Sequence, residues 1–162
     1  MDNAKSPKDS EVLMTELVLP THTNALGTIF GGTVMSWIDI AAAISAGKHA
    51  RKIVVTASVD ALHFIAPIKL GHIVKIVAQV NYAFKTSMEV GVRVNSEDPL
   101  TGKTAHNVTA YTTFVALDKN GKPTEIPKIN PETPEETRRF ADAQKRREAR
   151  VTLAKELKKS HQ

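Results

Sequence analysis

The chain has 162 residues, of which 41% are hydrophobic and 24% are charged, and it contains no cysteine. This length fits one domain, or one domain with a tail, and is enough for a hydrophobic core. The lack of cysteine excludes disulfides, thiolate metal sites and cysteine nucleophiles. No run of about 18 apolar residues is present to span a membrane, and residues 1–10 lack a signal-peptide core, so we expect a cytoplasmic protein.

The net charge of +5 is concentrated at the carboxyl end. Residues 137–162 hold nine Lys and Arg against three Asp and Glu, a balance of +6, which leaves 13 against 14 for residues 1–136. A basic tail suits nucleic acid, an anionic membrane surface or a polyphosphate ligand, and it is also typical of a solvated helix. Because no aromatic platform accompanies the charges, we expect no nucleic-acid partner.

Residues 1–10 are polar and are predicted to be disordered. A first strand is predicted from Glu11 to Leu19, because six of these nine residues are apolar and Pro20 then stops the run.

The stretch from Asn24 to Gly47 organises the chain. It reads as a polar loop, an entry at Gly31 and Gly32, and a helix that is buried on all sides and ends at Gly47. Asp39 lies in the middle of this helix and is either a hydrogen-bonded core residue or a functional carboxylate. The two glycines have no side chains to cover the free amides of the first turn, so these amides can bind an anion or a carbonyl oxygen.

The helix rise separates these two features. Gly31 and Asp39 are eight residues apart, which is about 12 Å along one helix axis. That distance is too long for both to act on one substrate atom. If they cooperate, they come from two antiparallel helices, and therefore from two subunits with the active site at their interface.

Four further strands are predicted after the helix, with Gly, Pro, Asn and Asp at the turns between them. Their short connections favour antiparallel pairing. We therefore predict an α+β fold in which a curved sheet of about five strands wraps around the central helix, and whose edge strands pair across a twofold axis. The four strands are Ile53–Phe64, His72–Phe84, Ser87–Asn95 and Lys103–Leu117.

The remaining residues, 126–162, are predicted to form a linker and a basic helix. Thr133 and Pro134 have the pattern of an N-cap followed by proline at the first helical position, so the helix is predicted from about Pro134 to Lys158. Its apolar residues are sparse, and we expect it to pack weakly or against a partner.

Several motifs in order resemble the acyl-CoA thioesterase (acyl-CoA hydrolase) branch of the hotdog superfamily, over roughly residues 11–150. The resemblance implies a single hotdog domain over residues 11–125. It also implies an active site built from the loop residue Asn24 of one unit and Asp39 on the helix of the other. The motifs are Asn24-x-x-Gly27-x-x-x-Gly31-Gly32, Trp37-Ile38-Asp39, 54–60, Phe64-Ile65-Ala66-Pro67, 85–90, 112–118, and the basic segment with Arg138 and Arg139.

The resemblance predicts hydrolysis of fatty acyl-CoA to a free fatty acid and coenzyme A, with no metal and no cofactor. The Gly32 amide would bind the carbonyl oxygen, Asp39 would act as general base or nucleophile, and Asn24 would orient the water or the carbonyl. We expect a homodimer as the minimal active unit and a hexamer made as a trimer of dimers. The predicted substrate-binding residues are Phe30, Gly31, Thr56, Lys85, Thr86, Ser87, Arg138 and Arg139.

Three alternatives stay open at this point. A non-catalytic acyl-CoA sensor would have the same binding residues. A hotdog acyl-CoA dehydratase would need a catalytic histidine in the loop-helix region; His22 lies before the helix, and no hydratase motif matches. The Lys85-Thr86-Ser87 segment is either a phosphate or pantetheine contact or a plain turn.

Overall fold

The computed structural model describes residues 3–160 of the chain. Within that range the chain forms five strands and two α-helices, with short 3₁₀ helices at Pro7–Ser10 and Pro20–His22. In chain order the elements are β1 (Val12–Leu17), α1 (Gly31–Ala50), β2 (Ile53–Val59), β3 (Ile73–Ala83), β4 (Ser87–Glu97), β5 (Thr104–Leu117) and α2 (Pro134–Ser160).

The five strands form one antiparallel sheet in the order β1-β3-β4-β5-β2. Alternate residues of the central strands are buried, as expected where one face of a sheet meets the core. On β3 these are Val74, Ile76, Ala78 and Val80, each fully buried. Helix α1 contacts all five strands and contributes core residues such as Ile38. The predicted α+β architecture, a curled sheet around a central helix, is confirmed.

Helix α1 differs from the sequence prediction in two ways. It does not end at Gly47 but continues to Ala50, and Arg51 then takes a left-handed conformation with φ of 52° while its N–H donates to the Gly47 carbonyl. The last turn persists because His49 and Ala50 are buried in the core. The helix is also not buried on all sides, since Ile40 and Ile44 are 47% and 48% exposed.

The segment at the amino end is held against the rest of the chain. The Lys5 N–H donates to the Lys128 carbonyl at 2.9 Å. The Ser10 hydroxyl accepts a hydrogen bond from the Val80 N–H at 2.9 Å, beside a bulge in β3. Residues 3–10 are therefore ordered, although the sequence predicted disorder. The Ser10 side chain fixes the segment because it accepts from a buried backbone N–H of β3. Residues 1 and 2 lie outside the described residues.

Helix α2 packs on the face of the sheet opposite α1. Ala143 is fully buried, the Phe140 ring lies 4.4 Å from the Tyr82 ring, and Arg146 pairs with the buried carboxylate of Glu89 at 2.7 Å. The expectation of weak packing therefore does not hold for this part of the helix. Among the described residues, neither helix is long and apolar enough to cross a membrane.

Candidate active site

Asp39 lies on the side of α1 that its own sheet leaves partly open. The carboxylate is half-buried, and its Oδ1 accepts a hydrogen bond of 2.8 Å from the Thr56 hydroxyl. Thr56 belongs to the edge strand β2 and is followed at once by a bulge, a feature common beside functional sites. The contact fixes the direction of the carboxylate while one oxygen stays available for a ligand.

The side chains around Asp39 on this side of α1 are apolar and incompletely covered. Met35, Ile40 and Ile44 are 47%, 47% and 48% exposed. Large apolar side chains exposed along one helix indicate an interaction site.

The N-terminus of α1 offers free backbone donors. Phe30 is the N-cap residue, and its side chain makes no capping hydrogen bond. The N–H groups of Thr33 and Val34 are the first in the helix to donate to a carbonyl, that of Phe30. The N–H groups of Gly31 and Gly32 therefore have no intrahelical acceptor. Partial positive charge at this end favours a ligand oxygen that carries negative charge.

Two phenyl rings flank these donors. A methyl group placed on Gly32 would lie 3.0 Å from the Phe30 ring, and one placed on Gly31 would lie 3.5 Å from Cζ of Phe64. Glycine at position 32 therefore lets the Phe30 ring lie close to the helix end, while Phe64 is at ordinary contact distance from position 31. The resulting recess is both apolar and lined by amides. A cleft of about 360 Å³ lies here between the loop before α1 and the segment from Phe64 to Pro67.

Asn24 is held within its own loop. Its Oδ1 accepts from the Leu26 N–H at 2.9 Å, and its Nδ2 donates to the Thr28 hydroxyl at 3.0 Å. The side chain is exposed. It lies in the loop that enters α1, whereas Asp39 lies eight residues into the helix, about 12 Å further along the axis than Gly31. The two residues therefore lie at different ends of this part of the chain, as the predicted arrangement requires.

His22 has structural contacts. Its Nδ1 accepts from the Leu19 N–H at 3.1 Å, and its ring packs edge-on against Trp37 with centroids 5.2 Å apart. These contacts use one ring nitrogen and one ring edge to hold the loop before α1. The geometry does not favour the dehydratase alternative, in which this histidine would be the catalytic group.

Three of the predicted coenzyme A contacts, Lys85, Arg138 and Arg139, line two other clefts on the α2 side of the sheet. Lys85 lies beside Phe84 and Phe140 and pairs with Glu125 at 3.5 Å on the surface. The Thr86 carbonyl accepts from the Ala116 N–H, and the Ser87 carbonyl accepts from the Phe84 N–H. The backbone of this turn thus ties strands together, and the Lys85 side chain is exposed and can meet a phosphate.

Arg138 and Arg139 lie in the first turns of α2, in the cleft that also contains Tyr111. Both donate to Glu135, and hydrogen bonding from Arg138 lowers the pKa of Glu135 to about 2. Arg139 also donates to Gln79 at 3.1 Å. Within residues 3–160, no three His, Asp or Glu side chains are grouped as a metal site requires.

Sequence reasoning missed a network of ion pairs beneath α2. Glu89, fully buried on β4, accepts two hydrogen bonds from Arg146 and lies 3.5 Å from Arg150. Arg150 in turn pairs with Asp60 at 2.8 Å. The partners are far apart in the sequence, and the available signal was weak, an acidic residue between the apolar Met88 and Val90 of β4.

The comparisons with known proteins agree with this geometry. The profile of the thioesterase superfamily matches residues 26–103. An uncharacterised acyl-CoA thioester hydrolase of Bacillus subtilis (strain 168) is 45% identical over 129 residues, which cover 80% of this chain and 75% of that protein. The chain belongs to the thioesterase superfamily. The resemblance stated from the motifs is thereby confirmed.

Solved structures of other members of this superfamily share the fold. A hexameric acyl-CoA thioesterase, solved in the apo form, superposes with a TM-score of 0.91 at 42% identity over 93% of this chain and 97% of that chain. The acyl-CoA hydrolase of Staphylococcus aureus, solved with butyryl coenzyme A, coenzyme A and coenzyme A disulfide, gives 0.90 at 42% identity over 97% and 96%. Variants of that hydrolase with an aspartate, an asparagine or a threonine changed to alanine are also solved.

Proposed function

We propose that this protein is an acyl-CoA thioesterase that hydrolyses fatty acyl-CoA to a free fatty acid and coenzyme A. The observation that carries the proposal is the Asp39 carboxylate, held by Thr56 on an open apolar face, in a chain whose helix N-terminus presents uncapped amides. The named activity of the relatives supports it. In the Staphylococcus aureus hydrolase, an aspartate, an asparagine and a threonine were each replaced by alanine. Asp39, Asn24 and Thr56 are residues of the same three types.

The minimal active unit in this proposal is a homodimer. The face of α1 around Asp39 and the edge strand β2, with Ile53 at 67% and Val59 at 44% exposed, leave apolar surface that one chain does not cover. An unpaired strand edge favours pairing with a second copy. Related chains form hexamers, and a trimer of dimers is the hexamer that preserves such a pair.

Each site then combines parts of two subunits. The thioester carbonyl oxygen rests against the Gly32 amide, where fixed donors and the helix dipole stabilise the oxyanion that forms. Asp39 of the partner subunit takes a proton from the water that attacks the carbonyl. Alternatively it attacks the carbonyl itself, the thiolate leaves, and water hydrolyses the resulting anhydride. Asn24 orients the water or the carbonyl. Thr56 keeps that carboxylate in position. The leaving thiolate needs no strong acid, so the reaction proceeds without a metal or a cofactor.

The rest of the substrate follows from charge and polarity. The thioester end of the acyl-CoA lies against Phe30 and Gly31 at the apolar helix end, and the acyl chain enters the seam between helix and sheet. The coenzyme A phosphates contact Lys85, with its neighbours Thr86 and Ser87, and the basic start of α2 at Arg138 and Arg139. Acyl-CoA hydrolysis of this kind, in a protein without cysteine, fits the cytoplasm.

The test is release of free thiol from palmitoyl-CoA and butyryl-CoA, followed with a thiol reagent, for the wild type and for Asp39→Asn. The amide has the shape of the carboxylate but cannot act as a base, so turnover should fall by about 10²–10⁴-fold. Asp98→Asn is the matched control, because Asp98 accepts from the Leu100 N–H in a surface turn and an amide oxygen can do the same.

Two outcomes would contradict the proposal. Wild-type protein that binds acyl-CoA without releasing thiol would be a sensor. Near-wild-type turnover by Asp39→Asn, with thiol released, would remove Asp39 from the mechanism.

A further inference from the structure

The segment that follows β2 reaches the helix end where the carbonyl would bind. We call residues 60–67 the β2 loop. Phe64 lies in this loop, and its Cζ would be 3.5 Å from a methyl group on Gly31. Directly after the loop, the Ile68 carbonyl accepts from the Ile29 N–H at 2.7 Å. The loop is therefore attached to the segment that enters α1, and its ring borders the amides of the helix N-terminus.

The β2 loop is anchored at both of its ends. At its start the Asp60 N–H donates to the Tyr111 carbonyl at 3.0 Å. Near its end the Ile65 N–H donates to the backbone carbonyl of Asn107 at 2.9 Å, and the Asn107 side chain donates to the Ala66 carbonyl at 3.2 Å. Between these anchors Phe64 is 48% exposed, so its position depends on how firmly the two ends are held.

The side chain of Asp60 binds to the C-terminal helix. Arg150 of α2 donates to Asp60 at 2.8 Å, and the two side chains are only 26% and 22% exposed. Such a half-buried pair is less screened than a surface pair. Arg150 is itself oriented by the fully buried carboxylate of Glu89, which Arg146 already holds with two hydrogen bonds. The Arg146 guanidinium lies 3.6 Å from the Tyr111 ring centroid and stacks on it.

We propose that Arg150 is a positioning residue for the thioesterase reaction, acting through Asp60 on the β2 loop and its Phe64 ring. The ring closes one side of the recess at Gly31 and Gly32 and excludes bulk water from the amides that bind the carbonyl oxygen. Hydrogen bonds to a developing oxyanion are stronger in a site that excludes water. This inference rests on the proposed function and adds a role for the C-terminal helix besides contact with the coenzyme A phosphates.

The test is a double-mutant cycle of Arg150→Gln and Phe64→Ala, measured as kcat/KM for butyryl-CoA. A small displacement of a positioned group can cost up to about 10²-fold, and we expect each single variant to lose about tenfold. Because Arg150 acts through the ring, the double variant should lose no more than either single variant. Coupled residues depart from additivity in this way, and independent ones do not.

The matched control is Arg147→Gln, one turn earlier on the same helix. Arg147 is exposed and stacks on Phe84 at 4.3 Å, so its change removes the same charge without touching Asp60, and kcat/KM should stay within about twofold of wild type. Arg150→Lys, which keeps an ion pair with Asp60, should restore most of the activity lost in Arg150→Gln. If Arg150→Gln fails to fold, Asp60→Asn replaces it in the cycle and leaves both cations of Glu89 in place.

A loss of about 100-fold in the double variant, the product of two independent effects, would overturn the inference. Equal activity of Arg150→Gln and Arg147→Gln would overturn it as well. Both results assume an active wild type and leave the proposed function standing. A wild type that releases no thiol would instead remove the proposed function, and this inference with it.

Discussion

Subunit complementation tests the shared site directly. The perturbation is a mixture of two inactive proteins, Asn24→Ala and Asp39→Asn, in equal amounts under conditions that allow subunits to exchange. Along one helix, Gly31 and Asp39 are about 12 Å apart, and Asn24 precedes that helix in a loop closed by its own hydrogen bonds. In the proposed dimer, a working site therefore takes Asn24 from one subunit and Asp39 from the other.

The expected recovery follows from counting sites. Random pairing makes about half of the dimers mixed, and each mixed dimer has one site with both changes and one site with neither. About a quarter of all sites should therefore be intact, and thiol release from butyryl-CoA should return to about 25% of the wild-type rate. The same fraction applies to a trimer of dimers if every site lies within one dimer.

The assay needs proof that exchange occurred. Native mass spectrometry of the mixture should show the mixed dimer as about half of the population, and each variant exchanged with itself is the control for activity from mixing alone. If both residues served a site within one chain, every site would carry one change. The rate would then stay at the level of the single variants, and confirmed exchange with no recovery would refute the shared site.

Two further predictions concern charge. Burial lowers the pKa of His49, whose Nε2 bonds to the Pro127 carbonyl. The unfolded chain therefore binds a proton as the pH falls through about 6.5 while the folded chain does not, and the free energy of unfolding falls towards acid pH. Urea unfolding at about pH 7.5 and about pH 5.5 should show a larger loss of stability for wild type than for His49→Gln, and equal losses would contradict the assignment. Lys85→Gln and Arg138→Gln should each raise KM for acyl-CoA more than they lower kcat, with an effect that shrinks as salt rises. A KM equal to wild type at every salt concentration would make these two cations ordinary surface charges.

Much of the fold could be predicted from local pattern. Alternation of apolar residues in β3 and β4 gave strands whose observed bounds, Ile73–Ala83 and Ser87–Glu97, are within two residues of the prediction. Asp39 was recognisable because a lone carboxylate in an apolar helix is costly. Both features depend on residues that are close together in the sequence, so a single sequence was enough to predict them.

Contacts between distant residues were not predictable in the same way. Nothing in the sequence pairs Glu89 with Arg146, 57 residues away, and the basic residues of α2 were therefore interpreted only as a solvated face or as contacts for coenzyme A phosphates. The structure shows that two of them neutralise a buried carboxylate. The conformation of residues 3–10 was not predictable for a similar reason, because it depends on a hydrogen bond between Ser10 and Val80, 70 residues apart.

The prediction that α1 is buried on all sides was wrong for the single chain, and the exposed residues bear on assembly. Its sequence is apolar on all sides, yet Met35, Ile40 and Ile44 are each about half exposed in the single chain. Covering such side chains is worth about 1 kcal/mol each, or about 6 kcal/mol for the two helices of the proposed dimer. Association costs at least about 4 kcal/mol and up to about 15, so these helix faces alone do not secure a dimer. In the proposed dimer, pairing of the β2 edges would also cover Ile53 and Val55 and would supply the rest. It would bring the side of α1 that carries Asp39 towards a second subunit.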